Sequence, residues 1–110
     1  MSKTKIPIEI QEESKKIISD YNQKKFKGKS DVGYIAEFKG DYLYLNRTEY
    51  NKINPVVRLK YSGNMKNWKF EIFKWSSETF DSEDLFFPGC EFIDGTIQGA
   101  MKAGDKAYPV

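Results

Sequence analysis

The chain contains no histidine. The side chain that titrates nearest neutral pH is missing, and with it the commonest general base and the commonest metal ligand. A Ser–His–Asp or Cys–His nucleophilic centre cannot be assembled from this chain alone. Cys90 is the single cysteine, which excludes an intrachain disulfide framework and fits a reducing, cytoplasmic setting. With no imidazole to activate it, Cys90 reads as a small apolar residue. No apolar run approaches the length of a membrane span, and residues 1–5 enter an amphipathic pattern with no secretion-signal core. Asp81, Glu83 and Asp84 lack the central glycine and late glutamate of a calcium loop, so capping explains them better. Internal repeats and low-complexity segments are absent too. The expectation is no catalytic set, no metal, no cofactor and no membrane.

What the chain does have is aromatic residues, 15% of 110. That supports a core in a chain of single-domain length. Residues 1–110 are expected to form one domain, with 1–6 frayed. The net charge of +2 conceals an asymmetry. Residues 1–75 carry 16 Lys/Arg against 9 Asp/Glu, and residues 76–110 carry 2 against 7. Such a basic body with an acidic C-terminal third suits either self-complementary packing or contact with a polyanion.

Pro7 and the spacing of Ile10, Ile17, Ile18 and Tyr21 predict a helix over 7–25. Ser14 fills the missing position of its apolar stripe. Acidic residues stand early in it and Lys24 and Lys25 late, as the helix dipole favours. Four strands with alternating side chains follow, over 33–39, 42–46, 56–61 and 68–75. Gly40-Asp41 is a tight hairpin turn that pairs Lys39 with Tyr42 and Phe38 with Leu43. This places Tyr34, Ala36, Phe38, Leu43 and Leu45 on one apolar face. Residues 48–55 read as a polar connection with one helical turn. Residues 76–92 read as an irregular acidic segment anchored by Phe80, Leu85, Phe86 and Phe87, with a helical turn near 82–85. A second helix is expected over 95–106, capped by Asp94. Its Gly99 and Gly104 imply close approach to another element. The fold class is therefore α+β: an N-terminal helix, a four-stranded antiparallel meander, an irregular acidic segment and a C-terminal helix.

Tyr42-Leu43-Tyr44-Leu45, Arg58-Leu59, Trp68-Lys69-Phe70, Phe86-Phe87-Pro88-Gly89, Asp94-Gly95-Thr96 and the 99–109 stretch together resemble a family of small prokaryotic proteins of unknown function. The resemblance covers about residues 38–108. It implies a compact domain and no particular activity. The helix–strands–helix order is also similar to the double-stranded-RNA-binding domain, but the second helix has no lysine before Lys102 and there is one strand too many.

The second sheet face is the candidate site. It collects Tyr42, Tyr44, Phe73 and Trp75 with Lys39, Arg58, Lys60 and Lys69. Lys24, Lys25 and Lys27 add a basic cluster at the end of the first helix. Three readings stay open. The face is covered by protein, whether the second helix, the 76–92 segment, a protein partner or a second copy in a homodimer. Or its rings stack on the bases of a single-stranded nucleic acid while the cations meet phosphates. Or it lines a pocket for a small ligand, with carboxylate or tyrosine chemistry as an enzymatic variant. Glu37 and Glu71 on the same face count against a phosphate track. A non-catalytic interaction module is the leading expectation.

Overall fold

The computed structural model describes residues 4–27, 31–75, 77–81 and 89–108. Helix α1 (Ile8–Lys25) is followed by five strands, β1 (Val32–Lys39), β2 (Tyr42–Glu49), β3 (Lys52–Lys60), β4 (Lys69–Lys74) and β5 (Thr79–Asp81). A 3-10 turn (Cys90–Phe92) and helix α2 (Ile97–Ala107) complete the chain. The architecture is α+β, and the strands pair antiparallel in the order β1-β2-β3-β4-β5. The meander has one strand more than the alternation predicts. The extra one, Thr79–Asp81, is three residues long and lies inside the segment expected to be irregular. A strand that short presents no alternation to read. The expected helical turn at 82–85 and the anchors Leu85, Phe86 and Phe87 lie outside the described residues.

The β1–β2 register follows the predicted pairing, with Lys39 opposite Tyr42, Phe38 opposite Leu43 and Ala36 opposite Leu45. Gly40 takes a φ of 60°, the first central position of a type II′ hairpin turn. The connection expected over 48–55 is instead a second tight hairpin. Tyr50 and Asn51 have φ of 49° and 72°, a type I′ turn between Glu49 and Lys52. Pro55 does not end a loop; it sits within β3, where the register shifts opposite Leu45/Asn46. Proline cannot donate to a ladder and is tolerated at such a bulge. The extra residue there leaves Val56 and Val57 both buried.

Both helices lie on the face formed by Tyr34, Phe38, Leu43, Leu45, Val57, Leu59, Phe70 and Ile72, all buried. Burying each leucine is worth about 1.5–3 kcal/mol. From α1 come Ile18 and the fully buried Ser14, whose hydroxyl donates to the Ile10 carbonyl at 2.6 Å. Fraying does not extend to residues 4–6: Thr4 bridges to Gly40, the Lys5 amide donates to the Gly40 carbonyl at 2.9 Å, and Ile6 is in the core. Asn22 of α1 closes part of the β1 edge, its side-chain amide donating to the Tyr34 carbonyl and accepting from the Tyr34 amide, both at 2.8 Å.

From α2 come Ile97, Ala100, Met101 and Ala103. Its N-cap is Thr96, which accepts from the Gly99 amide at 3.0 Å, while Asp94 accepts from Thr96. Gly104 lets α2 settle on the sheet. A Cβ there would lie 2.8 Å from both the Tyr34 hydroxyl and a Val56 methyl. Alanine improves helix propensity by about 1 kcal/mol, yet it would force apart two side chains already held in place. Gly104→Ala is expected to destabilise the fold by about 1–3 kcal/mol, read as a lower urea midpoint with unchanged slope.

Candidate functional site

Because antiparallel partners share a face, the second side of the sheet is arranged in cross-strand rows. One row reads Lys39, Tyr42, Lys60 and Lys69. The next reads Glu37, Tyr44, Arg58 and Glu71. Phe73 lies beyond, opposite Phe80 of β5. The structure therefore brings together Tyr42, Tyr44, Phe73, Lys39, Arg58, Lys60 and Lys69, and adds Phe80. Trp75 follows β4 and packs edge-on against Phe73, with ring centres 5.0 Å apart.

Arg58 is the centre of this face. Its guanidinium lies 4.3 Å from the Tyr42 ring centre and 4.8 Å from that of Phe80. It also binds Glu71 at 2.8 Å. Tyr44 and Phe73 both meet Phe80 edge-on, at 5.7 and 5.2 Å. The rings thus pack on one another and on the cation, and Phe73 and Glu71 are buried. Ile35, Ile53 and Trp75 are exposed at 39%, 62% and 48%. The expectation that α2 covers this face does not hold, since α2 and α1 share the other one.

Lys24, Lys25 and Lys27 stand apart from this face. Lys24 and Lys25 end α1 and line a groove against α2, and Lys27 is exposed just beyond. Cys90 is half-buried and free. Among the described residues, no group of three or more Cys, Asp or Glu side chains could hold a metal ion.

On the helix side lies a polar cluster that the pattern reading did not single out. Asp105 of α2 accepts hydrogen bonds from Tyr21 of α1, from Tyr34 of β1 at 2.9 Å and from Arg47 of β2 at 3.3 Å. Tyr34 also donates to the Met101 carbonyl at 3.1 Å. Arg47 is 3% exposed and binds Glu49 at 3.3 Å as well. A sequence signal existed: Arg47 continues the core phase of Leu43 and Leu45, and Asp105 continues that of Ile97 and Met101. A cation and an anion at core positions require each other.

Burial pushes the Tyr21 and Tyr34 hydroxyls well above their ordinary value of 10.0, and the Asp105 carboxylate pushes both further. Each is therefore a hydrogen-bond donor, not an incipient phenolate. A raised folded-state pKa contributes stability that is complete below the unfolded value and is lost as pH rises beyond it. Stability is expected to fall as pH climbs past about 10, with a shallower fall in Tyr34→Phe, measured by urea unfolding across that range. Asp105→Ala would leave Arg47 with Glu49 alone. A loss of about 3 kcal/mol is expected in the same assay, the low end for a broken buried pair.

No protein-family model, curated protein or solved structure matches the chain.

Proposed function

We propose that the chain is a non-catalytic interaction module of a reducing, cytoplasmic compartment, and that it docks a protein surface, with a second copy of itself as the first candidate, on the second sheet face. The observation that carries this reading is the placement of both helices on the opposite face while Ile35, Ile53 and Trp75 remain exposed. Exposed apolar side chains on a sheet face without a covering helix are suited to a partner. The Arg58 cluster gives that surface a rigid base, since its rings are already fixed by mutual contact. The edges of the sheet favour a face over strand addition: Asn22 and the Thr4–Lys5 segment engage β1, and β5 is only three residues long.

A single-stranded nucleic acid is the second reading, supported by the Lys39, Lys60 and Lys69 row around Tyr42. Stacking needs free ring faces, and Arg58 already lies over Tyr42 and Phe80. Enzymatic carboxylate or tyrosine chemistry on this face has less support, because Glu71 is paired with Arg58 and the Tyr42 and Tyr44 rings are packed on Arg58 and Phe80.

Sedimentation velocity from low to high protein concentration tests the module. Concentration-dependent association is expected, weakened more than about tenfold by Ile53→Asp with Trp75→Ala, whose sites are exposed enough to leave the circular dichroism spectrum unchanged. A monomer at every concentration that binds labelled single-stranded DNA, with salt-sensitive quenching of tryptophan emission, would replace this reading with the second.

A further inference from the structure

The helix side carries a groove that this reading does not use. It lies between the C-terminal halves of α1 and α2 and has a volume of about 800 Å³. Lys24 and Lys25 line it from α1, Lys102 and Lys106 from α2. Tyr21 and Phe92 contribute rings, and Asp105 also lines it. Lys102 and Lys106 are the only two cations in residues 76–110, against seven acids. The acidic third of the chain thus delivers both of its positive charges to one groove.

Lysines at helix C-termini ordinarily answer the helix dipole, so the charge has to be weighed. Two helix ends supply about half a negative charge each. Asp105 supplies one more, while Arg47 and Glu49 offset each other. Asp20, beside Lys24 and Lys102 at the rim, adds another, so four ammonium groups against about three negative charges leave a surplus of about +1. None of the four lysines makes an ion pair with a described residue. Both carboxylate oxygens of Asp105 are already occupied, by Tyr21 on one and by Tyr34 and Arg47 on the other. The groove therefore keeps a modest excess of positive charge, and Asp105 has no oxygen left to offset it.

One ring wall is held in place. Phe92 ends the 3-10 turn and is 37% exposed. That turn is pressed onto α2 by two glycines. A Cβ at Gly89 would lie 2.7 Å from the Ala103 carbonyl and from the Lys106 Cβ, and one at Gly99 would collide with the Phe92 carbonyl. The backbone that carries Phe92 is thus held against α2 beside the lysines, whose methylene stems extend the apolar surface.

From these features we infer that the groove binds a small phosphorylated aromatic molecule of the mononucleotide class, its phosphates among Lys24, Lys25, Lys102 and Lys106 and its planar ring against Phe92. The volume lies in the range of small-molecule sites. An extended nucleic acid fits less well, because Lys39, Lys60 and Lys69 are on the opposite side of the sheet and form no continuous track with the groove.

Isothermal titration of the full chain at low ionic strength with ADP, pyrophosphate and adenosine tests this, with amide chemical shifts locating the site. ADP is expected to bind best, pyrophosphate more weakly and adenosine not measurably, with shifts at the ends of α1 and α2. Lys102→Ala with Lys106→Ala, both exposed positions, should weaken ADP binding at least about tenfold while sedimentation stays unchanged. Phe92→Ala should remove the advantage of ADP over pyrophosphate. Equal binding of adenosine and ADP, equal binding of pyrophosphate and ADP by the unaltered chain, or undiminished ADP binding by the double lysine variant would each overturn the assignment. Because the groove and the second sheet face lie on opposite sides, failure here leaves self-association untouched, and the reverse holds equally.

Discussion

The fold turns on the burial of Arg47. A guanidinium removed from water is costly unless its charge is met and its donors are used. Asp105 meets it across the helix–sheet interface, and the same carboxylate accepts from Tyr21 and Tyr34. One side chain of α2 thereby ties together α1, β1 and β2. Gly104 supplies the clearance that the Tyr34 hydroxyl needs to reach that carboxylate.

That arrangement places α1 and α2 on one side of the sheet, so that among the described residues the other side packs on itself. It does so with Arg58, which replaces a covering helix by packing between Tyr42 and Phe80 and binding Glu71. The result is a thin secondary core with exposed apolar residues at its margin. The two sides thus differ in character. The sheet side is an aromatic surface packed around Arg58, and the helix side carries a concave groove lined by four lysines.

Much of the architecture was legible because it rests on local periodicity. The Gly40-Asp41 turn and the alternation on both of its sides define the β1–β2 register. The row of Lys39, Tyr42, Lys60 and Lys69, and Arg58 in the row beside it, followed from the same alternation. The misses share a physical cause. The Tyr50-Asn51 turn needs two positive φ values, and tyrosine is an unusual residue to supply one. Pro55 resembles a loop boundary until the bulge beside it is known. Thr79–Asp81 becomes a strand only because β4 offers an edge to pair with.

The sequence by itself determined the absence of histidine chemistry, the α+β class, the core phase of each major element and the residues of the second face, since these depend on composition and on periods of 2 and 3.6 residues. Tertiary structure alone decided which face the helices would choose, that Arg47 and Asp105 would meet, and that lysines 24–25 and 102–106 would line one groove. The partners in these contacts are 58 or more residues apart in the chain, and no local pattern carries information over that distance. It is the docking of α2, guided by one buried charge and two close-packed glycines, that brings them together.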